Sequence, residues 1–255
     1  MPGPVRSSRP RNRRSSRTSE TDVTTPSAQV ELRERTGEDC ISNNGFCPDW
    51  IVENFDRYVD PFFEHIFLTV VSVGIGFAIA FSLALLAHRL RWTFRPISGV
   101  TQVLYTVPSI AAFFLLQPYT GRGNLTAIVA LVAYTLFILF ANIMTGLDNV
   151  SRDVKDAGRG MGLTDRQLLW RVELPLALPE ILAGLRIATT TTIGLATLAF
   201  FAGGGGLGAL IEQQLFFKSN VVVAGGLAVL LAAVFDLLIL GLQRIAMPWR
   251  RVALA

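Results

Sequence analysis

The sequence predicts an all-α membrane protein with five membrane-spanning helices and a structured cytoplasmic loop between the third and the fourth. Three observations carry this reading. Hydrophobic residues make up 51% of the 255 and charged residues only 16%, against roughly a quarter charged in an average soluble domain. The apolar residues gather into five blocks, each about as long as the ~20 residues a helix needs to cross a bilayer core of ~30 Å. The basic residues collect in alternate connecting segments.

The blocks are residues 66–87, 97–117, 125–147, 181–202 and 221–243. The first three carry no charge, the fourth carries Arg186 and the fifth Asp236. Lipid-facing backbone must satisfy its own hydrogen bonds, so each block is expected to be a helix. They are too long and too uniformly apolar for the ~10-residue alternating strands of a membrane β-barrel.

Charge placement sets the expected orientation. Segments 88–96 and 148–180 and the stretch after Gln243 hold eleven Lys and Arg residues, whereas the two other connections hold only Arg122 and Lys218. The positive-inside rule then puts the N-terminus outside and the C-terminus in the cytoplasm. The net charge of +4 reads as this membrane bias and not as a nucleic-acid footprint. Six arginines within residues 1–20 run against the rule, but they lie too far from the first span for it to apply.

Four regions follow. Residues 1–35 are Ser-, Arg- and Pro-rich and are expected to be a disordered basic tail, without the apolar core of a signal peptide. Residues 36–64 form an extracytoplasmic lead-in with Trp50, Phe55, Tyr58, Phe62 and Phe63. These aromatics suit either an interfacial anchor or packing on the chain's own bundle. Residues 65–245 form one membrane domain, and 246–255 a cytoplasmic tail. Cys40 and Cys47 are the only cysteines. An exported segment permits a disulfide between them, and two unpaired thiols are the alternative.

Within the spans, polar residues are the candidates for function. Thr189 to Thr192 form a run of four in the fourth block. Threonines can bond to the carbonyls four residues back. At most two can face a solute path, with Thr190 and Thr191 as candidates. Asp236 is a candidate for the same path because ionisable groups inside a membrane are functional by default. Structural pairing with Arg186 is the favoured alternative. The run Gly203 to Gly206 cannot hold a helix. It also lacks the Lys-Ser/Thr of a phosphate-binding loop, so a flexible outer turn is expected there, followed by a short helix at the interface.

The segment 156–175, DAGRGMGLTDRQLLWRVELP, is too ordered for a linker. Ser151 is placed to cap a helix, with Asp153 in its first turn. Glycines 158, 160 and 162 weaken that helix. Thr164 and Gln167 have capping-box spacing, which predicts a second helix over about 165–172, ending before Pro175. Small residues at Ala157, Gly158 and Gly162 allow close approach of another surface, so the segment reads as a docking element.

This pattern resembles a known family. Asp156-Ala157-Gly158, three residues, Gly162, nine residues and Val172-Glu173-Leu174-Pro175 is similar to the "EAA" loop of bacterial ABC importer permeases, Glu-Ala-Ala, x3, Gly, x9, Ile-x-Leu-Pro. The departures are Asp156 for Glu, Gly158 for the second Ala and Val172 for Ile. The stretches RGMGLTDRQLLWRVELPLALPEILAGLR, FFAGGGGLG and QVLYTVPS resemble the osmoprotectant subfamily, whose solutes include glycine betaine, choline, carnitine and proline betaine. Methionine and nitrate/taurine permeases share the loop. The resemblance implies a type I permease of the bacterial plasma membrane with a coupling-helix loop at 156–169. Asp156, Ala157, Gly158, Gly162, Leu163, Thr164, Gln167, Leu174 and Pro175 would carry the coupling. The implied partners are a separate ATPase subunit that binds ATP, an extracytoplasmic solute-binding protein, a second permease and membrane lipid. No cofactor or metal is expected in this chain, and no catalysis.

Two other classes are weaker. A secondary transporter would show more intramembrane charge and paired broken helices. An intramembrane enzyme would need convergent groups, yet His65 and His88 sit at opposite ends of the first block.

Overall fold

The computed structural model describes Cys40 and residues 45–247. The expected tails and most of residues 36–44 lie outside the described residues. Among these, every regular element is helical. The short α1 is Pro48–Glu53. A 3-10 turn, Phe55–Tyr58, leads into the long α2, Val59–Arg89. A second 3-10 turn is followed by α3, Phe94–Thr106, and α4, Ser109–Thr120. The chain continues through α5, Asn124–Asp148, α6, Arg152–Gly160, and α7, Asp165–Leu168. Then come α8, Leu174–Ala196, α9, Leu207–Gln213, and α10, Lys218–Ala246.

Among the described residues three stretches are long and apolar enough to cross a membrane: Phe55–Arg89, Asn124–Asp148 and Lys218–Ala246. The apolar window of Asn124–Asp148 is 61% buried, against 33% and 22% for the other two, so α5 is the central post. It packs on α2, α8, α3 and α4. One core cluster joins Ala80, Ala84 and Ala87 of α2 to Phe140, Ile143 and Leu147 of α5 and Ala177 and Ile181 of α8. A second joins Leu68, Ala127, Leu131 and Ala196.

Two expected spans differ from their prediction. The second is not one straight helix, because α3 and α4 meet at 102°. The cause is Pro108, whose ring forces the preceding residue out of the helical region; Val107 is extended at φ −64, ψ 129. The carbonyl freed at Val107 is taken by the Tyr134 hydroxyl of α5. With the bent pair counted as one crossing, the structure offers up to four. The fourth expected span, α8, is long enough at 23 residues but is not among the sufficiently apolar helices, since it holds Glu180, Arg186 and four threonines. It also stops at Ala196, short of residue 202, and a 3-10 turn Ala199–Ala202 follows.

The lead-in packs on the bundle. Cys40 and Cys47 form a disulfide with their Cα atoms 6.0 Å apart. The Cys47 amide donates to Ser219 Oγ at 2.6 Å. Tyr58 donates to Asn220 Oδ1 at 2.9 Å, and Trp50 meets Phe217 edge-on at 4.7 Å. The beginning of α10 is thereby fastened to the segment before α2. Phe55 and Phe63 remain exposed.

Candidate functional site

The segment after α5 is built by local capping. Ser151 accepts from the Val154 amide at 3.4 Å, satisfying one of the donors left free at a helix start. Asp153 lies in the first turn of α6. The helix runs through Gly158 and Gly160 and breaks at Gly162, whose φ of +82 disfavours a Cβ. Thr164 Oγ1 accepts from the Gln167 amide at 3.4 Å, and the Thr164 amide donates to Gln167 Oε1 at 3.0 Å, a reciprocal capping box. Leu168, 1% exposed, folds back onto Gly158, where a Cβ would sit 2.6 Å from its Cδ1. The two short helices therefore form one packed unit. Its outer surface presents Asp156, Ala157, Met161, Gly162, Thr164 and Gln167, with Leu163 half-buried.

The expected stop before Pro175 does not occur. From α7 the chain continues through a π-helical turn, Leu169–Glu173, directly into α8, with Leu174 and Pro175 in its first turn. In the π turn the Leu174 amide donates to the Leu169 carbonyl, five residues back. This widening makes room for the ring of Pro175, which would otherwise press on the turn before it. The short unit is thus a continuous extension of the long helix.

A buried ionic cluster locks this junction. Glu173 Oε2 lies 2.7 Å from His88 Nε2 at the end of α2 and 3.4 Å from Lys155 Nζ of α6. Lys155 Nζ also donates to the Leu147 carbonyl at 3.2 Å. The three side chains are only 6%, 14% and 15% exposed for Glu173, His88 and Lys155. One carboxylate just ahead of α8 thereby joins the end of α2 to α6, and Lys155 extends the cluster to the end of α5. Sequence reasoning missed it. The available signal was a glutamate set between Val172 and Leu174, where a solvated charge would be out of place.

At the level of the threonine run, Arg186 and Asp236 form a two-pronged ion pair, Nε to Oδ1 at 2.7 Å and Nη2 to Oδ2 at 2.8 Å. Thr189, Thr190 and Thr192 bond to the carbonyls of Leu185, Arg186 and Ala188 at 2.7, 3.0 and 2.7 Å. Thr189 and Thr192 are buried, whereas Thr190 and Thr191 are half-buried. Asp236→Asn leaves an unmatched guanidinium between α8 and α10. It is expected to lower the melting temperature by several degrees, with part of the loss restored by adding Arg186→Gln, as read by thermal unfolding in detergent.

Side chains from two helices hold the glycine run. Glu64 Oε1 accepts from Asn124 Nδ2 at 2.7 Å, and Oε2 accepts from the Gly206 amide at 3.1 Å. The Gly205 amide donates to Asn124 Oδ1 at 3.1 Å. A Cβ on Gly205 would overlap the Glu64 carboxylate, so glycine here answers to close approach. These partners are 60 to 142 residues apart in sequence, which hides the arrangement from local patterns. Among the described residues no group of His, Cys, Asp and Glu could hold a metal.

Residues 72–252 match the family model described as "Binding-protein-dependent transport system inner membrane component". The chain belongs to this family. Membership makes it a membrane transport protein and not an enzyme. The chain is 36% identical to the choline transport system permease protein OpuBB of Bacillus subtilis (strain 168) over 141 residues, 55% of this chain and 65% of that relative. It is 35% identical to the carnitine transport permease protein OpuCB of Listeria monocytogenes over 151 residues, 59% of this chain and 69% of the relative. The chain thus spans about two thirds of the length of these relatives. The fold is that of a solved inward-facing MetNI methionine ABC transporter chain, with TM-score 0.64 and 24% identity over 75% of this chain and 95% of that one.

Proposed function

We propose that this chain is the permease subunit of an ATP-driven importer for a small compatible solute such as glycine betaine, choline, carnitine or proline. The observation that carries the reading is the Asp156-to-Pro175 pattern, folded as two capped short helices continuous with α8 and pinned at Glu173. A rigid projection of this kind conveys movement from a docked partner into a bundle better than a loose loop does. In this reading there are five crossings, with α3 and α4 sharing the second and α8 as the fourth. The short unit and the C-terminus face the cytoplasm and the N-terminus faces outside. A separate ATPase docks on residues 156–169 and binds the ATP. Asp156 is a candidate ion-pair partner, Gly162 sets the bend, and Leu163, Thr164 and Gln167 shape the contact. A solute-binding protein delivers the solute from outside, and a second permease, identical or paralogous, completes the path. Thr190, Thr191 and Asp236 are its candidate lining residues within the 65–245 domain.

The relatives named for choline and carnitine transport support the solute class. A permease for methionine or for nitrate/taurine solutes is the second reading, supported by the methionine-transporter fold. Uptake of radiolabelled glycine betaine, choline, carnitine and proline in an osmotically stressed strain, with and without this chain, separates them. We expect at least one of these solutes to enter only when the chain is present. Methionine uptake alone would favour the second reading. Uptake undiminished when the ATPase is inactivated would point to a secondary transporter.

A further inference from the structure

We propose that the cavity between the end of α2 and the α6–α7 unit holds the headgroup of one anionic phospholipid. The proposal rests on the inward orientation given above. The cavity has a volume of about 710 Å³, within the range of small-molecule sites. Leu85 and Leu169, both half-buried, and the exposed Arg89 and Arg166 are among the residues that line it. Glu173 is held by His88 and Lys155, and Asp165 lies 3.7 Å from Arg159. Among the described residues Arg89 and Arg166 have no counter-ion of their own. Trp170, 53% exposed, also lines the space.

The chemistry fits an amphiphile. Two unpaired guanidiniums offer forked donors to a phosphate. An indole suits the headgroup level of a bilayer. The site lies at the last turn of a helix apolar enough to span, Phe55–Arg89, where the exposed Leu86 leaves room for an acyl chain. A docked protein is the other conceivable occupant. Arg159, Asp165, Arg166 and Leu169 of the 156–169 segment do line the cavity, on the side that meets Leu85, His88 and Arg89 of α2, whereas its exposed tip, Asp156, Ala157 and Met161, does not. The lipid is placed on that α2 side and the ATPase on the tip.

The test uses the full chain purified with its co-purifying subunits into nanodiscs of equal phosphatidylglycerol and phosphatidylcholine, with retained lipid counted by native mass spectrometry after mild delipidation. We expect one phosphatidylglycerol per chain to persist in preference to phosphatidylcholine. Arg89→Gln with Arg166→Gln should cut that retention roughly 30-fold, on the scale of two basic groups near an anionic surface. Arg122→Gln with Lys218→Gln, at the other end of the bundle, should leave it unchanged. Equal retention of the two lipids in the unaltered protein overturns the proposal even if the double variant does not fold. Displacement of the lipid by inorganic phosphate reassigns the site to a soluble anion and overturns it too. Loss of the ATPase subunit with lipid retention intact hands the cavity to the protein partner, with the same consequence. Solute uptake is measured separately. Failure of the uptake experiment with lipid retained would therefore count against the transport reading and leave the lipid site standing.

Discussion

Gly162→Asp is expected to give a chain that reaches the membrane at normal levels and transports nothing. Gly162 sits at φ +82, and a Cβ placed there meets no atom within 4 Å. The folding penalty is therefore confined to the backbone, about 1 kcal/mol, and aspartate tolerates that region better than most residues. The fold should survive. The functional cost arises at the surface that the proposed ATPase covers. Asp156 and Asp165 already stand there with side chains 72% and 91% exposed. A third carboxylate, buried by docking without its own counter-ion, costs roughly 2–5 kcal/mol, enough to release the partner. Membrane-fraction abundance, ATPase co-purification and solute uptake read the three consequences independently. Wild-type uptake by this variant would falsify the docking assignment.

Glu173→Ala should produce the largest loss of stability. It strands Lys155 and the neighbouring His88 in a site where their side chains are 15% and 14% exposed. Removing one partner of a buried pair typically costs about 3 kcal/mol or more. The melting temperature of the purified complex should fall, and uptake with it. The pair Glu173→Leu and Lys155→Met removes both charges and should recover much of the stability, because apolar replacements of similar volume often match a buried ion pair. If the cluster transmits motion, uptake stays low in that stable double variant. Recovery of uptake together with stability would reduce the cluster to a structural role.

What the sequence disclosed was whatever is local and periodic. The first, third and fifth apolar blocks correspond to the three helices long and apolar enough to cross. Ser151, Thr164 and Gln167 cap the helices that their spacing indicated. Misreadings came from prolines and from partners remote in the chain. Pro108 lay inside an uninterrupted apolar run, and hydropathy does not register the bend it makes. Pro175 carried a stop signal, but a π turn ahead of it let the helix go on, and such turns have no simple residue signature. Glu64 and Glu173 each act through contacts made by the tertiary fold, with Gly206 and Asn124 in one case and His88 and Lys155 in the other. Of the candidate pore residues, Asp236 is matched by Arg186, a pairing weighed from the presence of one cation and one anion in neighbouring blocks.

On the docking reading proposed above, the unbroken passage from α7 through the π turn into α8 would make a short surface feature the handle of a lever. Leu174–Ala196, 23 residues, reaches about 35 Å as a helix. Beyond it the chain enters the glycine run gripped by Glu64 and Asn124. A tilt imposed on the handle must either strain that grip or carry α2 and α5 along with it. The far mouth of the bundle would then open or shut in step with a force applied at the near one.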